Sequence, residues 1–346
     1  MDKPFLAFIT FFLAVILLVS CTITQTPVPS ATPQITVTLT PTLFPTVTPT
    51  PLPIGTEQNP LILGIVSETD DPNTLTAADQ IAKSVQQVTG FVIKTHTYPS
   101  YLLLLSDMAF AKVHIAFLPP LTYLYAKQMG YAQVAMLTNH FGVFQYGSRF
   151  FTNATSKFKS YYDPTTDRAT AEATTALTQF QDKMPCWVDP ASPSGYIVPL
   201  GLLKSKNIKT SSGAFLASPV GVIRALYVTG ICDFGVTFTT TGDPRTSPFV
   251  TQDLTDVLNR IIVIWQTDPI IPNTNLSFHP SIKPDMVDDL VFGFKDLLKD
   301  DKGKSELTAA IHYEILDFKQ VDETVYDPFR NLVNEAGVDL LSLVGR

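Results

Sequence analysis

The chain has 346 residues, with 24 Lys and Arg against 31 Asp and Glu, for a net charge of −7. The acidic excess carries no basic cluster, which excludes nucleic acid as a partner, because such partners need a positive patch. His96, His114, His140, His279 and His312 are scattered with no pair at metal-ligand spacing, so they read as structural or surface residues. Neither a metal nor another cofactor is expected.

In chain order, "MDKP" leads into the uncharged run "FLAFITFFLAVILLVS", about the length of a signal-peptide core. It ends at "LVSC", with Leu18 three residues before Cys21 and Ser20 just before it. This resembles the lipobox of bacterial lipoproteins, which implies cleavage before Cys21 and lipidation of that cysteine. The competing reading is a transmembrane anchor, for which the run is slightly short. Either one puts the rest of the chain outside the cytoplasmic membrane, in a periplasm or on a cell surface. Residues 22–58, nearly all Thr and Pro at first and uncharged to residue 56, read as an extended tether.

From residue 59 the chain alternates strand and helix patterns. Strand patterns at 61–66, 91–98, 114–119 and 131–138 alternate with helical ones at 76–90, 101–112 and 122–130. That order predicts an α/β fold with a parallel sheet and right-handed crossovers. The pattern restarts with strands at 186–189, 214–217 and 232–238 and helices at 195–207 and 219–230. A strand at 260–266 and helices at 283–300, 305–313 and 323–337 follow. Two lobes are expected, 59–150 with 268–346 and 151–267. Cys186 and Cys232 open the first and third strands of the second run, which are neighbours in a 2-1-3 order. They are expected to lie close in space, bonded or not.

The stretch "DPASPSGYIVPLGLL" (189–203) has two readings. It is a loop whose Ser192 or Ser194 caps the next helix, or its free N–H groups cradle an anion. Ser194 as a catalytic nucleophile is disfavoured, because "SPSGY" lacks the G-x-S-x-G elbow and no histidine is placed to activate it.

Four stretches carry a resemblance over about residues 60–335. "SYLLLLSDMAFAKVHIAFLPPLTYLYA" is similar to a tyrosine-containing helix, strand and "gPxxY" turn. "CWVDPASPSGYIVPLGLL" resembles a "DPxSxSGyxxP" loop, "ALYVTGICDFGV" an "al..G.vDag" segment, and "VIWQTDPIIPN" an "S.piPn" crossover. Together they resemble the phosphonate-type (PhnD-like) substrate-binding proteins of ABC transporters. The resemblance implies the two-lobed type II periplasmic-binding-protein fold: two mainly parallel sheets flanked by helices, with a cleft between. It also implies a monomer that binds a small anionic ligand and hands it to ABC permease and ATPase subunits, without being an enzyme. Tyr101 and Tyr123 would face the ligand from the first lobe. Ser192, Ser194, Gly195 and Tyr196 would hold its oxyanion from the second, and Asp233 matches the motif's aspartate. Pro193 stands where the motif has threonine, and Pro219 where a histidine opens the next helix. Arg149 reads as a surface or hinge salt bridge, or as a direct cation for the ligand. A sensor module presenting ligand to a membrane receptor is the alternative use of the same fold.

Overall fold

The computed structural model describes residues 52–67 and 71–345. The leader, Cys21 and the tether up to residue 51 lie outside the described residues. The folded part starts earlier than residue 59: Ile54 packs on the first core, and the Gly55 carbonyl accepts from Val92 N–H at 2.8 Å. Among the described residues no helix is long and apolar enough to cross a membrane.

The strands in chain order are β1 Leu61–Val66, β2 Ile93–Tyr98, β3 Ile115–Leu118, β4 Gln133–Asn139, β5 Gln145–Asn153, β6 Tyr162–Asp163 and β7 Arg168–Ala169. They continue with β8 Pro185–Trp187, β9 Ala214–Phe215, β10 Phe234–Thr239, β11 Ile261–Gln266, β12 Ile271–Pro272, β13 Asn275–Phe278 and β14 Asp317–Gln320. The first sheet has the order β14-β4-β13-β3-β1-β2 and the second β11-β5-β10-β8-β9, with β12 also on β5. β2, β1 and β3 are parallel, as the helical crossovers between them require. β13 is the strand that returns from the second lobe, and it pairs antiparallel with both β3 and β4.

Local chemistry sets the element ends. Asp71 caps helix Pro72–Thr89 by accepting from Asn73 N–H at 3.0 Å, and Gly90 closes it in the left-handed conformation at φ 77°. That helix buries Ala78, Ile81 and Val85 against β1 and β2, where Leu61, Leu63 and Ile65 lie. In the second lobe Phe150, Phe180 and Phe234 stack in the core, the last two with ring centres 4.1 Å apart.

The lobe boundary departs from the predicted one. A break at residue 150 would cut β5, yet all of β5 belongs to the second sheet, and β12 pairs Ile271 with Tyr146. The crossovers are therefore residues 140–144 and the β12–β13 link. Asn273 ties them together, its N–H donating to the Phe144 carbonyl at 3.0 Å and its Nδ2 to the Val143 carbonyl at 2.7 Å.

The order β9-β8-β10 is the 2-1-3 arrangement, and Cys186 pairs in register with Gly235. Cys186 and Cys232 are bonded, with Sγ–Sγ 2.08 Å and Cα atoms 5.7 Å apart.

Candidate functional site

Strand ends from both lobes converge on one cavity of about 360 Å³. Pro120 lines it just past β3, and His140 and Phe141 just past β4. Tyr146 contributes from the start of β5, Phe238 and Thr241 from the end of β10, and Pro272, Asn273 and Thr274 from the return crossover. Tyr313 closes the lobe 1 side and Ser194 the lobe 2 side. This is the place where open α/β sheets hold ligands, beyond the carboxyl ends of strands.

Ser194 sits in the first turn of a helical stretch that starts with a π-helical turn at Pro193–Ile197 and continues as Val198–Ser205. A π turn widens the helix and is common at functional sites. Ser192 is its cap: the Ser192 hydroxyl accepts from Gly195 N–H at 3.0 Å. The Ser192 carbonyl takes the N–H groups of Tyr196 at 3.2 Å and Ile197 at 3.0 Å. Pro193 costs no donor here, since the first turn's N–H groups lie outside the helical ladder. Gly195 is required by contact, because a Cβ there would fall 2.4 Å from Val188 Cγ2. Ser194 is only 7% exposed, and neither its hydroxyl nor its N–H has a protein partner among the described residues. Among the described residues it is the residue of this loop that lines the cavity, and it keeps both its hydroxyl and its N–H for a ligand.

The expected site changes at Ser192, Gly195, Tyr196 and Asp233. Ser192 is committed to capping, and the N–H groups of Gly195 and Tyr196 are committed to Ser192. The Tyr196 ring does not line the cavity; it packs edge-on against Trp187 at 5.5 Å and Phe215 at 4.9 Å. Asp233 is exposed and works as a strand clip, its carboxylate accepting from Met184 N–H at 2.7 Å at the start of β8.

The two tyrosines expected from the first lobe are not on the cavity wall either. Tyr123 is fully buried; its hydroxyl donates to the Glu323 carboxylate and accepts from Val134 N–H at 3.2 Å, and its ring lies 4.4 Å from Tyr326. Burial pushes its ionisation far above the ordinary range, with Glu323 adding to the effect. Tyr101 opens helix Tyr101–Ala109 half-buried against the chain end, where a Cβ on Gly345 would lie 3.4 Å from its ring. Arg149 is buried in β5 and tied to Gln266 at 2.8 Å and Asp167 at 2.5 Å, which makes it a hinge-strand ion pair and not a ligand cation.

Among the described residues the cavity lining carries no Asp, Glu, Lys or Arg. Burial raises the Tyr313 phenol to about 12 and the Tyr146 phenol further, so both stay neutral donors across the physiological range. His140 Nδ1 lies 2.8 Å from the Glu314 carbonyl, which only accepts, so Nδ1 carries a proton. Of these lining groups, Asn273 stood inside the quoted "IIPN" crossover. His140, Phe141, Tyr146, Phe238 and Tyr313 had no local signal beyond their types, since rings in a turn and at strand ends read the same whether or not they face a cleft.

Over residues 63–326 the chain matches the model of the phosphonate periplasmic substrate-binding proteins of ABC transporters. It belongs to that family. Among solved structures this substrate-binding protein is similar to XAC2383 from Xanthomonas citri bound to chloride, with TM-score 0.56 and 17% identity over 80% of this chain and 97% of that one. The same protein bound to ATP gives TM-score 0.55 and 15% identity over 80% and 96%. Transferrin 1 from Manduca sexta gives 0.52 and 8% over 82% and 47%. At these identities the likeness is one of fold. No curated protein matches the sequence. The family is one of extracytoplasmic substrate-binding transport proteins and not of enzymes.

Proposed function

We propose that this protein holds a small oxyanion, a phosphonate, phosphite or similar group, in the cavity between its lobes and delivers it to an ABC permease with its ATPase. The observation that carries the reading is Ser194: a residue 7% exposed whose hydroxyl and N–H have no protein partner among the described residues, in a helix's first turn, lining the cleft. The Ser194 N–H and hydroxyl, with the partial positive charge of a helix's first turn, favour an anion without lysine or arginine.

Ser194→Ala is expected to weaken binding of the best ligand from a panel of methylphosphonate, phosphite, phosphate and methylsulfonate by about ten- to hundredfold. That is the value, roughly 1.5–3 kcal/mol, of a hydrogen bond to a charged group. Its melting temperature should hardly move, because the cap is Ser192. Ser192→Ala is the contrasting variant, with about 1 kcal/mol of stability lost. Calorimetry and thermal melting on both variants check this. Unchanged affinity in Ser194→Ala would remove the oxyanion site.

We also propose that the protein is held to the membrane through Cys21 as a monomer on its Thr/Pro tether; the support is the lipobox-like "LVSC" at residues 18–21. Metabolic labelling with a radioactive fatty acid should mark the wild-type chain and leave Cys21→Ser unlabelled. Label on the variant would reject the anchor.

A further inference from the structure

The cleft is more aromatic than a bare oxyanion needs. His140 stacks on Tyr313 with ring centres 4.1 Å apart and an interplanar angle of 25°, and Phe141 follows at 4.0 Å from His140. These rings, with Tyr146, face the cavity that Phe238 lines from the other lobe. A wall of this kind suits a flat π face, which gains stacking as well as apolar burial.

Phe141 carries the second observation. It is 63% exposed, and it sits at φ 50° before Gly142 at φ 85°. The turn is closed by His140 N–H to the Val143 carbonyl at 2.9 Å and the reverse bond at 3.2 Å. Two successive positive-φ residues make a turn that selects Asn, Asp or Gly at its first central position. A phenylalanine there costs both left-handed backbone energy and exposed apolar surface. Strain of this kind collects where a side chain serves a ligand. The turn is also the crossover between the lobes, so it places the ring at the edge of the cleft.

Charge supplies the third. Among the described residues no ionic side chain lines the cavity, while aromatic rings do, so apolar contact is available to supply a large part of the affinity. A cavity of about 360 Å³ has room for a ring beside the oxyanion group.

We infer that the ligand is an aromatic oxyanion, with its anionic group at Ser194 and its ring against the His140, Phe141 and Tyr313 wall. This rests on the oxyanion reading of Ser194 given above. The test compares phenylphosphonate with methylphosphonate by calorimetry on the purified protein and on Phe141→Asn and Phe238→Ala. Phe141→Asn gives the turn a residue it prefers and is expected to fold at least as stably as the wild type. Phenylphosphonate should bind the wild type roughly ten- to hundredfold tighter than methylphosphonate. Phe141→Asn should bring that ratio close to one, and Phe238→Ala should lower it. Equal binding of the two ligands to the wild type, or a ratio unchanged in Phe141→Asn, overturns the aromatic inference and leaves the oxyanion site standing. Absence of binding by either ligand removes both.

Discussion

Reducing the Cys186–Cys232 disulfide is expected to lower the unfolding free energy by about 4 kcal/mol, the loop-closure value for a link spanning 46 residues. The enclosed segment contains β9, the Ser194 turn and the two helices Val198–Ser205 and Pro219–Val228. Much of the second lobe therefore depends on one closure. Cys186 is fully buried beside Val222 and Leu226, while Cys232 is half-buried just ahead of β10. The bond joins two strands that pair directly through Pro185–Phe234 and Cys186–Gly235, so it reinforces contacts already present in the native state. Its main effect falls on the unfolded chain, whose freedom it restricts. Denaturant unfolding of the oxidised and reduced wild type, compared in one buffer, measures the effect without changing the sequence. Coincident midpoints would reject it.

Lowering the pH from 7 to 4 is expected to remove roughly 3 kcal/mol of stability through His114. Its Nδ1 accepts from Ile62 N–H at 3.0 Å, and its side chain is buried beside His279. Burial, with the neighbouring His279 adding to it, lowers the imidazole from 6.5 to about 4. The unfolded chain then binds more protons than the native one between these values. Stability from this group is complete above pH 6.5 and is lost as the pH falls toward 4. Protonation also puts a hydrogen on the atom that accepts from Ile62, so the first sheet loosens at the join of β1 and the loop before β3. Carboxylates held low, such as Asp107 with its Lys112 and Tyr98 hydrogen bonds, begin to lose their contribution only near their ordinary value of 3.8, at the acid end of this window. Urea titrations at pH 7, 5.5 and 4, with His114→Gln as the flattened control, follow the loss. An imidazole resonance of His114 titrating near 6.5 in the native protein would sink the prediction.

The loop around Ser194 shows why some of the site was legible and the rest was not. "DPASPSG" states a capped turn, because serine and aspartate side chains reach N–H groups two or three residues on. The sequence left Ser192 and Ser194 as equal candidates for the cap. The π turn separates them by carrying the Gly195 N–H onto Ser192 and leaving Ser194 over the cavity. In the same way, "DFGV" identifies Asp233 at a strand start, and the strand clip to Met184 appears only once β8 lies alongside. The boundary at residue 150 missed because β5, Gln145–Asn153, is one uninterrupted strand, and nothing within it marks where one lobe's sheet begins.

What the sequence determined by itself was the alternation of strands and helices in two runs, the adjacency of Cys186 and Cys232, and the family. All of these rest on periodicity, caps and motif spacing, which act over a few residues or one β-α-β unit. Only the tertiary structure decided which side chains face the ligand. Tyr123 is withdrawn from the cleft by Glu323, 200 residues further along the chain, while His140 with Phe141, Phe238 and Tyr313 are brought to one cavity from three separate segments. A side chain's chemistry is local, but its exposure depends on what distant segments pack against it or leave open.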